Sequence, residues 1–312
     1  MNVYHAYGLC IRSELPLPEV APWHPDPAGL RTAGDPADVD VQVRIGAVMR
    51  SLGGRTIPGF PWQVRTGQYL LTIDGVARFL ITGGRDVTID PAPSGAWEDI
   101  RGYFLGAVCG VLLHTCGVLP LHGSSIATPR GAMIFLGRSG SGKSTLLSTL
   151  LRRGHTMIAD DVTAVRIGDD GTPLAYPGYP RIRLFDSVLR GMGEQPDTLQ
   201  RLSSASGKYL LPVDRFASTP APVTALFELV ETDAAGLSID DVPPAEQLVR
   251  CGQFIRTRRL FPGHEDVRQR FAGLGALLRT AALRRIVRPR HPFHPDALAD
   301  LIEGLGVQEA QS

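Results

Sequence analysis

The stretch Gly137-Arg-Ser-Gly-Ser-Gly-Lys-Ser144 is the most informative part of this 312-residue chain. It matches the pattern G-x-x-x-x-G-K-[ST], in which x is any residue, at every defined position. The apolar run Ala132 to Leu136 precedes it, and helical periodicity follows it over Thr145 to Arg153. A chance glycine-rich turn does not account for this strand-loop-helix setting, in which the pattern binds phosphate. The sequence therefore predicts an α/β core with a phosphate-binding loop, here called the P-loop.

The residue types of the P-loop suit a nucleoside triphosphate that carries Mg²⁺. Glycines let the backbone wrap around a phosphate, so that N–H groups and the positive end of the next helix face the anion. We expect Lys143 to bind the β and γ phosphates and Ser144 to offer its hydroxyl to Mg²⁺. ATP is the expected nucleotide. The predicted nucleotide contacts are Gly137, Ser139, Gly140, Ser141, Gly142, Lys143, Ser144 and Thr145.

Two acidic residues and one histidine lie at suggestive positions on either side of the P-loop. Asp160 and Asp161 come 16 residues after Ser144, at the end of a predicted strand, and His122 comes 15 residues before Gly137. Adjacent carboxylates can divide their roles, one binding metal and one accepting a proton from a substrate hydroxyl. The alternative is structural: a solvated acidic turn and a packed histidine.

Bulk composition limits the other function classes. With 32 Lys and Arg against 31 Asp and Glu, the net charge of +1 creates no field that would recruit nucleic acid or a membrane. The four cysteines lack zinc spacing, and the N-terminus lacks the apolar stretch of a signal peptide. The longest apolar segment, Tyr103 to Leu113, is well short of the roughly 20 residues that span a bilayer. A soluble cytoplasmic protein with reduced thiols is predicted.

Two domains are predicted, with a boundary after residue 96. Residues 1–96 favour short strands at Val39 to Ile45, Tyr69 to Ile73, Ala77 to Ile81 and Asp86 to Ile89, which indicates a small β-rich domain. Residues 97–312 begin with a helix over Trp97 to Thr115 and then alternate strands with helices, as in an α/β core. Later predicted elements are strands at His155 to Ile158, Val162 to Ile167 and Val223 to Val230, and a helix over Val267 to Arg285. Arginines are dense from Arg256 to Arg290, where an acidic peptide or a carboxylate terminus is a candidate ligand.

The order His122-Gly, P-loop, Arg153-Gly-His155 and Ala159-Asp-Asp161 resembles the core of the bacterial HPr kinase/phosphorylase family over about Leu119 to Ile167. The resemblance implies a nucleotide-binding fold of the phosphoenolpyruvate carboxykinase type and transfer of phosphate to a protein serine. It also implies that Lys143 binds phosphate, that Ser144 and Asp161 hold Mg²⁺, that Asp160 is the base, and that His122 lies beside the phosphoryl group. HPr kinases are hexamers, but a match to the core alone does not carry this property over, so a homo-oligomer stays an open possibility.

Other segments resemble a branch of kinases found with peptide-modification genes. The HPr kinase signature after the acidic pair is replaced by Tyr179-Pro-Arg181-Ile-Arg183-Leu. The opening Tyr7-Gly-Leu and the stretch Ser206-Gly-Lys208-Tyr-Leu-Leu-Pro212 look like those of the tailoring kinases of lasso-peptide biosynthesis, which phosphorylate a serine of a precursor peptide, commonly the C-terminal one. By this resemblance a precursor peptide is the expected partner. Arg181, Arg183 and Lys208 are candidate substrate-binding residues, as cations that stabilise charge on the moving phosphoryl group or hold an acceptor; the alternative is that they are solvated surface charges.

Three alternatives stay open from the sequence. One is an HPr-type protein serine kinase. Another is a transport ATPase, although no L-S-G-G-Q motif follows the P-loop. The third is a regulatory module that binds nucleotide without catalysis.

Overall fold

Eight strands within the described part of the first 91 residues form one sheet, and four of them are the strands predicted at residues 39–45, 69–73, 77–81 and 86–89. The computed structural model describes residues 1–20, 39–203, 206–234 and 236–308. The sheet order is β1-β2-β3-β8-β7-β6-β5-β4, with β3 parallel to β2 and β8 and the other pairs antiparallel. The strands are β1 Asn2–Ala6, β2 Leu9–Ser13, β3 Val41–Ile45, β4 Arg55–Thr56, β5 Trp62–Arg65, β6 Gln68–Ile73, β7 Ala77–Thr82 and β8 Asp86–Pro91.

The predicted helix after this sheet is present and packs onto it. It consists of α1 (Trp97–Tyr103), a π-helical turn (Phe104–Val108) and α2 (Cys109–Thr115). Its apolar side chains share one buried cluster with those of the sheet. The predicted boundary after residue 96 therefore falls between elements that share a hydrophobic core. A π-helical turn widens a helix locally and is frequent at functional sites.

A second, nine-stranded sheet carries the P-loop at its centre. β11, β18 and β20 are parallel neighbours, and β12 and β10 continue the sheet beyond β11. The long β18 pairs with β14 near its start and with β20 further along. The strands are β9 Leu119–Leu121, β10 Gly123–Thr128, β11 Gly131–Gly137, β12 Thr156–Ala159, β13 Thr163–Ile167, β14 Pro173–Tyr176, β18 Ala221–Thr232, β19 Ser238–Asp241 and β20 Leu283–Pro289.

A small third sheet and five further α-helices complete the described structure. The sheet has the order β15-β17-β16, with β15 Arg181–Phe185, β16 Gln200–Arg201 and β17 Lys208–Pro212. The helices are α3 Lys143–Arg152, α4 Asp186–Gly191, α5 Pro244–Gln253, α6 His264–Thr280 and α7 Pro295–Gln308, with a short 3₁₀ turn at Pro196–Thr198. The fold is thus a mixed α/β structure with several sheets. No helix in the described ranges is both long and apolar enough to cross a membrane.

One predicted helix is wrong over its last five residues. The helix expected over Val267 to Arg285 ends at Thr280, and β20 begins at Leu283. Leu283 and Ile286 are spaced as on a helix face, yet both are buried in a strand that pairs in parallel with β18 from Leu226 onward. Pairing with β18 therefore overrides the local pattern, as tertiary context does for short apolar runs.

The arginine-rich segment does not form one basic surface. Arg270 is buried and donates to the Phe261 carbonyl, while Arg284 and Arg285 pair with acids of β19. Arg288 pairs with Glu231 of β18. These four arginines support the fold locally. Fewer of the ten arginines in the segment therefore remain to bind an acidic peptide.

Candidate functional site

The P-loop connects β11 to α3 and has the geometry expected of an anion-binding loop. Gly140 and Gly142 have φ of 88° and 93°, in the left-handed region that favours glycine. A Cβ at Gly137 would lie 2.5 Å from the Ser141 hydroxyl oxygen. Helix α3 begins at Lys143 without a side-chain cap or an acidic residue in its first turn. Its first N–H groups therefore remain for an anion, and the Ser141 hydroxyl is buried without a hydrogen-bond partner among the described residues.

Lys143 lies folded into the P-loop. Its ammonium donates to the carbonyls of Gly137 and Arg138 over 2.8 and 2.9 Å, and the residue is only 6% exposed. Burial lowers its pKa from 10.5 to about 8, the nearby charges of Lys208 and Arg256 add to this, and the two aspartates oppose it. The chain contains only two lysines, Lys143 and Lys208, and they are close enough to interact electrostatically.

This pKa leads to a prediction about pH. If the P-loop binds ATP, as its sequence predicts, the bound phosphates stabilise the charged lysine, and binding above pH 8 is accompanied by proton uptake. We expect ATP affinity to fall as pH rises above about 8, by up to about tenfold per pH unit. Calorimetry between pH 7 and 9.5 measures the affinity. Selective ¹³C labelling of lysine should give two NMR signals, one from each lysine. Without ATP, the signal of Lys143 should titrate near pH 8. If both signals titrated above pH 10, the prediction would be contradicted.

Asp160 lies at the end of β12 and is fixed by three donors. The hydroxyls of Ser124 and Ser144 donate to its carboxylate over 2.7 and 2.9 Å, and the backbone N–H of Arg183 donates over 2.9 Å. Asp160 is buried. A carboxylate beside the P-loop serine is the arrangement that suits Mg²⁺, which prefers oxygen ligands and keeps several waters.

Asp161 points into a different set of contacts from its neighbour. Its φ of 66° lies in the left-handed region, and its carboxylate pairs with Arg183 at 2.5 Å and Arg256 at 2.9 Å. Burial alone would raise its pKa, but these two guanidinium groups hold the pKa of Asp161 well below its usual range. Asp161 is therefore ionised throughout the physiological pH range.

His122 lies between β9 and β10, next to Asp161. Its Nδ1 is 2.9 Å from the Asp161 carbonyl oxygen, which can only accept, and 3.2 Å from Nη1 of Arg256, which can only donate. The shorter contact assigns the proton to Nδ1. Burial lowers the pKa of His122 to about 4, and the Lys143 and Arg256 charges add to this effect. The imidazole is therefore neutral at pH 7, with the lone pair on Nε2. The lowered pKa of Asp161 is therefore due to the charges of Arg183 and Arg256.

The structure brings together most of the residues singled out from the sequence but pairs them differently. Ser144 contacts Asp160, whereas the expected metal pair was Ser144 with Asp161. The expected base, Asp160, already accepts three hydrogen bonds. Arg181 donates to the adjacent Pro180 carbonyl and, within the described ranges, forms no hydrogen bond or ion pair with either aspartate. Arg183 is buried against Asp161 and is not available to bind a peptide.

Four residues of the site had no role assigned from the sequence. Ser124 follows His122-Gly123, and Tyr179 accepts hydrogen bonds from Arg183. Arg256 reaches the site because its neighbour Ile255 forms an antiparallel β-bridge with Leu121, the last residue of β9. Arg288 donates twice to the Ser141 carbonyl and so attaches the P-loop to β20. In the sequence, only the high density of arginine pointed to Arg256 and Arg288. It did not show which of the ten arginines between residues 256 and 290 would lie at the site.

Comparisons with known proteins add a weak likeness of fold. No protein-family profile and no curated protein matches this chain. Among solved structures the chain is similar to the Hpr(Ser) kinase/phosphatase from Coxiella burnetii, with a TM-score of 0.34 and 13% identity over 62% of this chain and 93% of that chain.

Proposed function

We propose that this protein is an ATP-dependent serine kinase that acts on a precursor peptide of the lasso type. The observation that carries the proposal is the division of the acidic pair: Asp160 faces the P-loop serine, and Asp161 faces two arginines and a neutral histidine. A purely regulatory nucleotide-binding module has no need of a second carboxylate held ionised beside the phosphate site. A kinase needs one group for the metal and another for the acceptor hydroxyl.

The donor side consists of the P-loop and Asp160. In this proposal Ser144 and Asp160 hold Mg²⁺, so Asp160 and Asp161 exchange the roles expected from the sequence. Bound with the triphosphate, the metal would neutralise charge on the β and γ phosphates. Lys143 leaves the Gly137 and Arg138 carbonyls and pairs with these phosphates. The free N–H groups at the start of α3 add further donors.

The acceptor side consists of Asp161 and its neighbours. Asp161 accepts a hydrogen bond from the serine hydroxyl and orients its oxygen toward the γ phosphorus. The new O–P bond forms as the bond to the leaving ADP oxygen breaks, and the hydroxyl proton passes to Asp161. A carboxylate of low basicity suffices, because the proton becomes acidic only once the oxygen is bonded to phosphorus. Neutral His122 lies beside this position without adding charge.

The proposed acceptor class gives a second prediction. Lys208 lies over the Phe185 ring at 4.7 Å, and its charge lowers the pKa of Lys143, so it is near the P-loop. No carboxylate pairs with Lys208 in the described part of the chain, so it is a candidate partner for the terminal carboxylate of a peptide. Amidating that carboxylate is expected to weaken peptide binding by about 5- to 150-fold, the equivalent of losing a charge-assisted contact of about 1–3 kcal/mol.

The test compares free-acid and amidated forms of a short peptide that ends in serine. Calorimetry should show the difference with the wild-type protein and not with Lys208→Met. Mass spectrometry after incubation with Mg-ATP should find one added phosphate at the terminal serine. Efficient labelling of HPr with none on such peptides would replace the peptide kinase by an HPr-type kinase, and nucleotide binding without transfer to either would leave a regulatory module.

A further inference from the structure

The turn between β1 and β2 of the N-terminal sheet reaches into the C-terminal half of the chain. Tyr7 is 1% exposed, and its N–H donates to the Pro177 carbonyl over 2.7 Å. The fit is close: a Cβ at Gly8 would lie 2.4 Å from the Tyr176 ring, and one at Gly178 would lie 2.9 Å from the Tyr7 ring. Tyr7 adopts φ of 61°, which few residues other than glycine do. Tyr7 therefore occupies this position in the turn although the backbone conformation there is unfavourable for a tyrosine.

Tyr7 packs against a second tyrosine that holds a site arginine. The rings of Tyr7 and Tyr179 meet edge to face with centroids 6.2 Å apart. The Tyr179 hydroxyl accepts hydrogen bonds from Nε and Nη2 of Arg183 over 3.1 and 2.7 Å. The remaining nitrogen, Nη1, donates to Asp161. Tyr179 therefore fixes the plane of the guanidinium group that holds Asp161.

The π-helical turn closes this arrangement from the other side. A Cβ at Gly106 would lie 3.4 Å from Nη1 of Arg183 and 3.7 Å from Nη2 of Arg256, so a larger side chain would press on both arginines. The Tyr7 hydroxyl donates weakly to the Leu105 carbonyl in the same turn, over 3.5 Å. Arg183 is therefore enclosed by the Tyr7 turn, Tyr179 and the helix that packs on the N-terminal sheet.

We infer that the N-terminal sheet is part of the acceptor side of the site, because Tyr7, through Tyr179 and Arg183, positions Asp161. The inference rests on the proposed function, and in it the role of the N-terminal sheet is to position Asp161. Tyr7 and Tyr179 are positioning residues. The P-loop and Lys143 lie outside this chain of contacts. Asp160 meets it only at the backbone N–H of Arg183, which substitutions of the Tyr7 and Tyr179 side chains leave in place, so these substitutions should change acceptor geometry and not ATP binding.

The kinetic test uses variants that keep the aromatic ring or remove it. Tyr179→Phe should lower kcat by about 10- to 100-fold, as expected when a reacting group is misplaced, and should leave the Kd for Mg-ATP within about twofold. Tyr7→Leu should act in the same direction, Tyr7→Phe should recover most of the loss, and the two losses should combine less than additively. Tyr209→Phe is the matched control, a tyrosine of similar burial on β17 whose ring lies under the Arg201 guanidinium at 5.5 Å and whose hydroxyl forms no hydrogen bond with Arg183 in the described part of the chain. A Tyr179→Phe kcat within twofold of the control, or fully additive losses, would overturn the inference.

A second readout does not depend on finding the acceptor. In ¹⁵N-arginine spectra the buried Nε–H of Arg183 should give a signal protected from exchange, assigned by its loss in Arg183→Lys. It should lose protection in Tyr179→Phe and Tyr7→Leu and keep it in Tyr209→Phe, with thermal midpoints recorded for all. If the wild type phosphorylates no acceptor while this pattern holds, the proposed function fails and the positioning stands. An unprotected signal in the wild type would overturn the positioning itself.

Discussion

Lys143→Met is expected to lower phosphoryl transfer by on the order of 10²–10³-fold or more, the loss typical of removing one preorganised group from a site of developing charge. Methionine is preferable to alanine because Lys143 is buried with its side chain folded onto the P-loop, and methionine keeps most of the volume of the apolar stem. With the stem retained, the thermal midpoint should change little. Steady-state kinetics, calorimetry with Mg-ATP and thermal unfolding measure the three effects.

The lysine content of the chain provides a direct check on this assignment. An acyl-phosphate derivative of ATP transfers its acyl group to an amine beside the phosphates, and the only lysines are Lys143 and Lys208. Peptide mapping should find Lys143 labelled, with protection by ATP. Lys208→Met should keep this labelling and most ATP affinity. Near-normal turnover of Lys143→Met, or protection of Lys208 alone, would contradict the P-loop assignment.

Contiguous features of the site were predictable from the sequence, because their geometry is local. The P-loop needs glycines, a lysine and a serine at fixed offsets between a strand and a helix, and all are adjacent in the chain. Its observed position between β11 and α3 matches that expectation. Alternation of side chains placed the hairpin strands of the first sheet in the same way, since the period of two is intrinsic to a strand.

Features that depend on long-range packing were not predictable. Asp160 and Asp161 are identical side chains in adjacent positions, and the sequence does not show which of them faces Ser144 and which faces Arg256. Asp161 also has a left-handed backbone that no local pattern predicts. Arg256 is 95 residues from Asp161 in sequence and meets it because residue 255 bridges residue 121. Two residues that are far apart in the chain show no local sequence pattern from which their contact could be predicted.

The two aspartates can be told apart by how each responds to the metal. Asp160→Asn should lose most of the gain in ATP affinity that Mg²⁺ provides, while metal-free ATP binds at least as well as to the wild type because a repelling charge is gone. Asp161→Asn should keep the Mg²⁺ gain within about twofold and lower kcat by on the order of 10²-fold or more. Calorimetry with and without Mg²⁺, followed by steady-state kinetics, measures both effects.

Stability must be measured alongside, because the two substitutions disturb the fold unequally. Asp161→Asn leaves Arg183 and Arg256 without their counterion, and breaking such a largely buried pair typically costs about 3–5 kcal/mol. In Asp160→Asn the amide oxygen still accepts from the two serines and only the backbone N–H of Arg183 loses its acceptor, so the loss of stability should be smaller. Arg256→Gln serves as the control, since it weakens the Asp161 network without changing either carboxylate. If Asp161→Asn abolished the Mg²⁺ gain while Asp160→Asn preserved it, the metal would belong with Asp161, and the base with Asp160, as the sequence alone had suggested.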